Sequence, residues 1–282
     1  MVSINTNISS LIAQNSLRNS TSKLNNTIEQ MTTGYKINHA KDNAANYSIA
    51  VDMSTKIGAY DVAEENCAMA LDLVNTANEA LDLIADKYLR IRALKEQFDN
   101  GTYDNISRET IENEAKVIFK EIQRIVLSTE YNGKKLFGNW DLNTPDADYK
   151  DSIFNFQIGI DQTNLSQITI TTSNQELVAW TIMNAADITT PLNGLDIDFW
   201  DELLTCITQK QTELGAVQNR LESALEAICT QRENLISSRS TLKDADIAKV
   251  SSEYIKQQIL QQASATLLAT ANQSPSIALQ LI

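Results

Sequence analysis

Apolar residues recur at alternating steps of three and four along three stretches of the chain. The first stretch is Cys67, Ala70, Val74, Ala77, Leu81, Ile84, Tyr88 and Ile91. The second is Ile111, Ala115, Ile118, Ile122 and Ile125, and the third is Ile207, Leu214, Val217, Leu221, Ala224, Ile228 and Leu235. This spacing is typical of helices that pack as a coiled coil. We therefore predict a mainly α fold, in which helices over about 44–99, 107–129 and 197–239 form a long antiparallel bundle.

The ends of two of these helices have local signals. Asp99, Asn100 and Gly101 predict the end of the first helix, and Ser107 is the predicted N-cap of the second. Between the second and third helices the hydrophobic period changes to two. Phe154, Phe156, Ile158 and Ile160 alternate with polar residues, and Ile168 and Ile170 follow after a turn predicted at 161–164. We predict a small β-hairpin region within about 137–190.

The two ends of the chain carry thinner apolar stripes. One consists of Leu17, Leu24, Ile28, Met31 and Tyr35, and the other of Ile247, Val250, Tyr254, Leu260, Leu267 and Leu268. Most other positions near the N-terminus are polar, so neither stripe builds a core by itself. We expect the terminal helices to pair as a second coiled coil, and to remain disordered in the monomer until assembly buries them.

Composition narrows the class of protein. The 282 residues include only 8 Gly and 3 Pro, which favours long helices over a turn-rich β fold. A net charge of −13 argues against a nucleic-acid partner, because phosphate binding needs clustered Lys and Arg. The N-terminus lacks the basic start and apolar run of a secretory signal, and no window approaches the roughly 18 apolar residues of a membrane span. We expect no nucleic-acid partner and no membrane insertion.

Candidate catalytic residues are sparse. His39 is the one histidine, so a Ser-His-Asp triad or a histidine-based zinc site cannot be built, and no glycine-rich phosphate loop occurs. We expect neither an enzyme nor a cofactor or metal site, and interpret His39 as a polar helix-end or interface residue. Cys67, Cys206 and Cys229 lack metal-binding spacing and are interpreted as small buried residues, with a crosslink between helices as the alternative.

Five segments together resemble bacterial flagellin, the subunit of the flagellar filament. They read INTNISSLIAQNSL, TTGYKINHAKDNAA, LGAVQNRLESAL, DADIAKVSSEYIKQQILQQA and LLATANQSP, and the resemblance covers 1–138 and 200–282. It implies that 1–43 and 240–282 form the inner coiled coil of a filament, and that 44–239 form an outer rod. About 60 residues separate the helical arms, too few for the large outer domains of many flagellins.

The resemblance also implies a function and a location. The chain is expected to polymerise with itself into an extracellular filament for motility, after export without a cleaved signal peptide. An export chaperone and a cap protein are the further partners implied. Two alternatives stay open: a hook–filament junction protein, and an adhesin or immune ligand as the main role.

One further segment, YLRIRALKEQ at 88–97, is similar to the flagellin stretch that a vertebrate Toll-like receptor recognises and that forms subunit contacts. By this resemblance the interface residues are Arg90, Arg92, Leu94, Gln97 and Glu114. We expect Arg90 and Leu94 to lie on an exposed face that is covered only in the filament. The alternative is an ordinary solvated coiled-coil face, with Leu94 packed against a neighbouring element.

Overall fold

The computed structural model describes residues 7–138, 151–161, 166–172, 192 and 196–280, with side chains described up to Gln273. The helices are α1 (Ile8–Thr33), α2 (Ala44–Asp99), α3 (Asn105–Ser128), α4 (Ile197–Lys243) and α5 (Ile247–Gln280). The strands are β1 (Glu130–Tyr131), β2 (Lys134–Lys135), β3 (Ile153–Gln157) and β4 (Gln167–Thr171). The predicted mainly α fold with a small β region is confirmed.

The chain divides into two compact units. One combines Met1–Gly58 with Glu233–Ile282 and is called the terminal unit below; the other, Ala59–Arg232, is called the central unit. Both divisions fall inside long helices, α2 and α4. The predicted boundaries between inner coiled coil and rod, at 43/44 and 239/240, describe the roles of the segments in a filament. They stay a prediction.

The central unit is built on the predicted heptad seam of α2. All eight residues from Cys67 to Ile91 in that seam are at most 1% exposed. The ion pair between Arg92 and Asp201 and that between Asp61 and Arg232 show that α2 and α4 run antiparallel. Burial of one apolar stripe from each helix therefore creates the core.

Two details of α3 differ from the sequence prediction. Phe119, which is 1% exposed, fills the core next to the predicted position Ile118, which is only half-buried. The larger aromatic side chain buries more apolar area there. Ser107 is not the N-cap: Asp104 is, and its side chain accepts a hydrogen bond of 2.8 Å from the backbone N–H of Ser107.

The two hairpins follow from turn chemistry and alternation. Asn132 and Gly133 both have positive φ, 50° and 74°, which gives a two-residue type I′ turn between β1 and β2. Strands β3 and β4 are antiparallel, with Phe154 opposite Ile170 and Phe156 opposite Ile168, and these four side chains pack against the core. The turn predicted at 161–164 lies mostly outside the described residues.

A matched pair of leucines on α2 tests this core. Leu81 is 1% exposed and Leu83 is 54% exposed. We expect Leu81→Ala to lower the free energy of unfolding by about 2–5 kcal/mol, because it removes buried apolar area and leaves a cavity. Leu83→Ala should change it by about 0.5 kcal/mol or less. Urea unfolding followed by circular dichroism measures both, and equal losses in the two variants would contradict the assigned core.

Candidate assembly surfaces

The terminal unit pairs α1 with α5 through a seam of mostly small and polar residues. On α1 the buried residues are Ala13, Ser20, Leu24 and Thr27, and on α5 they are Val250, Gln257 and Ser264. These positions follow a heptad on each helix. Because small side chains allow backbones to approach closely, Cα atoms of the two helices come within 8 Å of one another.

Hydrogen bonds cross this seam along its length. Nδ2 of Asn7 donates to the carbonyl oxygen of Ala271 at 2.6 Å, and the hydroxyls of Ser16 and Ser264 are 3.2 Å apart. Nε2 of Gln261 donates to the hydroxyl of Thr21 at 3.0 Å. The partners run in opposite chain directions, so α1 and α5 form an antiparallel pair. The predicted second coiled coil is therefore present.

The large apolar residues of this pair lie mainly on its outside. The exposed set on α1 is Ile8, Leu11, Ile12, Ile28 and Met31, and on α5 it is Ile247, Ile255, Ile259, Leu260 and Leu267. Their exposed fractions run from 38% at Met31 to 66% at Ile12. A groove of about 500 Å³ lies between Ile12 and Leu267. An apolar surface of this extent on paired helices indicates a protein-binding face.

The residues of the predicted terminal stripes divide between the seam and the outside of the helix pair. Leu24 and Val250 are buried in the seam, and Leu17, Tyr254 and Leu268 are half-buried. The remaining predicted stripe residues are exposed: Ile28, Met31, Tyr35, Ile247, Leu260 and Leu267. The seam follows a neighbouring line of small side chains, because that line lets the helices pack at short distance.

A short backbone crossing joins the segment after α1 to the end of α4. The N–H of Lys36 donates to the carbonyl of Lys243 and the N–H of Ala245 to the carbonyl of Gly34, both at 2.8 Å. Gly34 closes α1 in the left-handed conformation, with φ of 74°. Nζ of Lys243 lies 4.3 Å from the ring centroid of Tyr35. This crossing fixes where α1 and α5 begin their pairing.

The loop between α1 and α2 is ordered by one carboxylate. Oδ2 of Asp42 accepts the backbone N–H groups of Asn38 at 3.1 Å and His39 at 3.0 Å. The hydrogen bond from His39, together with that from Asn38 and the charge of Lys41, holds the pKa of Asp42 below its ordinary value. Nε2 of His39 lies 2.8 Å from Oε1 of Glu29 on α1, which fits the interpretation of His39 as a helix-end residue.

In the central unit, most of the residues singled out by resemblance lie at the surface. Arg90 is exposed and pairs with Glu114 on α3, with its Nη2 2.5 Å from Oε1. Arg92 is half-buried and pairs with Asp201 on α4 at 2.5 Å, while Gln97 is exposed. The pairing with Arg92 lowers the pKa of Asp201. Their roles as interface residues stay a prediction.

Leu94 differs from the expectation of an exposed side chain. It is 1% exposed and belongs to the core of the central unit. The expectation was wrong because Leu94, although it flanks the α2 seam, is buried in the core to which α2, α3 and α4 all contribute. The alternative interpretation, in which Leu94 packs against a neighbouring element, is the one that the structure supports.

The cysteines are free thiols. Cys67 is fully buried, and its Sγ lies 3.2 Å from the carbonyl oxygen of Leu221. Burial raises the pKa of the Cys67 thiol, and the nearby Cys229 adds to that effect. Cys206 and Cys229 are half-buried, so the interpretation as small buried residues is met fully at Cys67 alone.

The described residues contain neither a helix suited to span a membrane nor a cluster suited to hold a metal ion. Over those residues, no helix combines the length and the apolarity needed to cross a membrane. Within the same part of the chain, no three His, Cys, Asp or Glu side chains group closely enough to hold a metal ion.

The sequence matches two family profiles. Residues 4–141 match the bacterial flagellin N-terminal helical region, and residues 197–282 match the bacterial flagellin C-terminal helical region. Flagellin of Bacillus subtilis (strain 168) is 32% identical over 301 residues, covering 99% of each chain. Flagellin of Halalkalibacterium halodurans is 33% identical over 276 residues, covering 96% of this chain and 97% of the relative. The crystal structure of Bacillus cereus flagellin is similar over 62% of this chain and 94% of its own, at 20% identity and a TM-score of 0.45.

The lowered pKa of Asp42 predicts a pH dependence of the loop after α1. A carboxyl with a lowered pKa in the folded state contributes stability above its ordinary pKa, and that contribution is lost as the pH falls through the lowered value. We expect the chemical shifts of the amide protons of Asn38 and His39 to change together with pH, with a midpoint below the ordinary pKa of aspartate. Proton NMR measures this, and Asp42→Asn should abolish the titration. A midpoint at or above the ordinary value would contradict the assignment.

Proposed function

This chain belongs to the bacterial flagellin family, and we propose that it is a structural subunit that polymerises with itself into a flagellar filament. Its role is mechanical and not catalytic. The relatives align with it over nearly their whole length. The filament lies outside the cell, and so, on this proposal, does the assembled chain.

The observation that carries this proposal is the distribution of side chains in the terminal unit, where polar residues lie in the buried seam and large apolar residues lie at the surface. Its internal seam contains Ser20, Thr27, Gln257 and Ser264, while large apolar side chains such as Ile12 and Leu267 face outward. Outward apolar area stays exposed to water unless other molecules cover it, and covering it is favourable at about 25 cal/mol per Å². Neighbouring copies of the same chain provide that cover in a filament.

We further propose which segments form the inner and the outer parts of the filament. Residues 1–43 and 240–282 form the inner coiled coil of the filament, and 44–239 form the rod outside it. The exposed apolar faces of α1 and α5 support the inner position, since that is where most subunit contacts are needed. Export without a cleaved signal peptide, an export chaperone and a cap protein are further proposals that rest on family membership.

A receptor surface on the free monomer is also proposed. Arg90, Gln97 and Glu114 are exposed, and Arg92 is half-buried, so these polar groups are accessible before assembly. Leu94 is buried, and its contribution is to the core beneath that surface. The partner is a Toll-like receptor of a vertebrate host, as the similarity of 88–97 implies.

A truncation tests the proposed division of segments. We expect a chain of residues 44–239 to unfold cooperatively on heating but to form no filaments when seeded. Its core survives because every buried residue of the main apolar cluster lies between Ala63 and Ile228. Circular dichroism and electron microscopy measure the two properties, and the intact chain is the positive control. Filaments of normal length from the truncated chain would refute the proposal.

A single substitution tests the receptor surface. Arg90→Ala should weaken binding of the monomer to receptor-bearing cells, while the melting temperature changes little because exposed ion pairs contribute about 0–1 kcal/mol. Arg124→Ala is the matched control, since Arg124 forms an exposed ion pair with Glu121 at 2.6 Å on the same unit. The receptor proposal fails if both variants bind as the parent does.

A further inference from the structure

The face of α2 that points away from its own core carries a second heptad pattern. Val62, Met69 and Leu83 lie on one line at multiples of seven residues, and they are 55%, 46% and 54% exposed. A parallel line, three residues further on each time, contains Glu65, Asp72, Glu79 and Asp86, all exposed. We call these two lines together the outer face of α2.

Such regularity sets this face apart from ordinary surface apolar residues. Single exposed apolar side chains are common, but here three of the four positions at steps of seven are exposed and apolar, and the fourth is the half-buried Thr76. Val62 and Leu83 are 21 residues apart, or about 32 Å along a helix. An apolar row at heptad spacing with a charged row beside it is what a partner helix lying alongside would cover.

The complementary surface is present on α3. Ile106, Val117, Lys120 and Arg124 lie on one line at steps of 11, 3 and 4, and all four are exposed, Ile106 by 74% and Val117 by 68%. We call this line the outer face of α3. The whole line spans 18 residues, about 27 Å, of which its apolar part, Ile106 to Val117, covers 11 residues, about 16 Å.

Charge makes the outer face of α3 a suitable partner surface. The outer face of α3 ends in two cations, opposite in sign to the four carboxylates of α2. Lys120 makes no salt bridge within the described part of the chain. Arg124 forms an exposed ion pair with Glu121 of its own helix, and its guanidinium stays at the surface. Electrostatic complementarity of this kind selects partners and fixes their register.

The two outer faces of one chain cannot meet each other. Within a chain, α2 and α3 already pack through other faces, as the Arg90–Glu114 ion pair and the Arg108 side chain over the Phe98 ring show. The outer face of α3 is therefore directed away from the α2 helix beside it. A second copy must supply it.

We propose that the outer face of α2 in one copy binds the outer face of α3 in a second copy. The proposal rests on the proposed function, self-assembly into a filament, and names one contact within it. The surfaces that meet are different, so after one contact the first copy still has a free α3 face and the second a free α2 face. Contacts of this heterologous type extend into open arrays.

Charge reversal of the two rows tests the contact. We expect Asp72→Lys with Glu79→Lys to raise the critical concentration for seeded polymerisation by about tenfold or more, because like charges then face each other. Lys120→Glu with Arg124→Glu should do the same. The chain with all four substitutions should recover to within about threefold of the parent, since the attraction is restored with its sign reversed.

The matched control is Glu222→Lys with Glu226→Lys, which makes the same change in net charge at exposed positions of α4. It should remain within about threefold of the parent. Melting temperatures verify that every variant is folded. The contact is overturned if the α2 variant assembles like the parent, if the control is equally defective, or if the fourfold variant stays as defective as the pairs.

Failure of the proposed function would be seen separately. If the parent forms no filaments on seeding, the filament role is wrong, and the contact is then measured by sedimentation velocity of concentrated monomer. The same order is expected there: weaker self-association for each reversed pair and recovery for the fourfold variant. Equal sedimentation of all variants overturns the contact in that case.

Discussion

Close approach of two helices is the constraint on which the terminal unit depends. α1 and α5 contact each other along a line that contains the small residues Ala13, Ser20 and Ser264. Leu24 and Val250 are buried there too, but most large apolar residues of both helices lie outside that line. Small residues in the seam leave most large apolar residues on the surface of the helix pair. The packing within the pair and its tendency to bind other copies therefore have the same cause.

The two units consequently differ in what stabilises them. The central unit buries Leu81, Ile84 and Ile91 almost completely, and hydrophobic burial dominates its stability. The seam of the terminal unit relies on hydroxyl and amide hydrogen bonds such as Gln261 to Thr21, each of which contributes about 0.5–1.5 kcal/mol net. The terminal unit thus gains further stability when neighbouring subunits cover its exposed apolar residues, as a subunit that joins a polymer requires.

Sequence periodicity predicts the elements whose seams are apolar and fails where the seam is polar. The α2 seam was readable because its residues are uniformly apolar. Ser20 and Gln257 gave no such signal, so the sequence showed the apolar stripes with Ile28 and Leu267 but not the polar seam between the helices. The exposure of Leu94 was predicted wrongly because heptad spacing gives its position relative to the α2 seam but not whether other elements bury it. These errors arise from tertiary packing, which one-dimensional spacing does not contain.

Helix α2 has an apolar surface that folding of the single chain leaves exposed. Its inner face is fully occupied by its own core, while Val62, Met69 and Leu83 on the opposite side are left to solvent. An isologous contact would bury the same patch on both copies and stop at a dimer. The acidic row opposes this, because two such faces would place carboxylates against carboxylates. Charge on α2 thus disfavours the closed dimer and leaves growth through unlike surfaces as the favourable outcome.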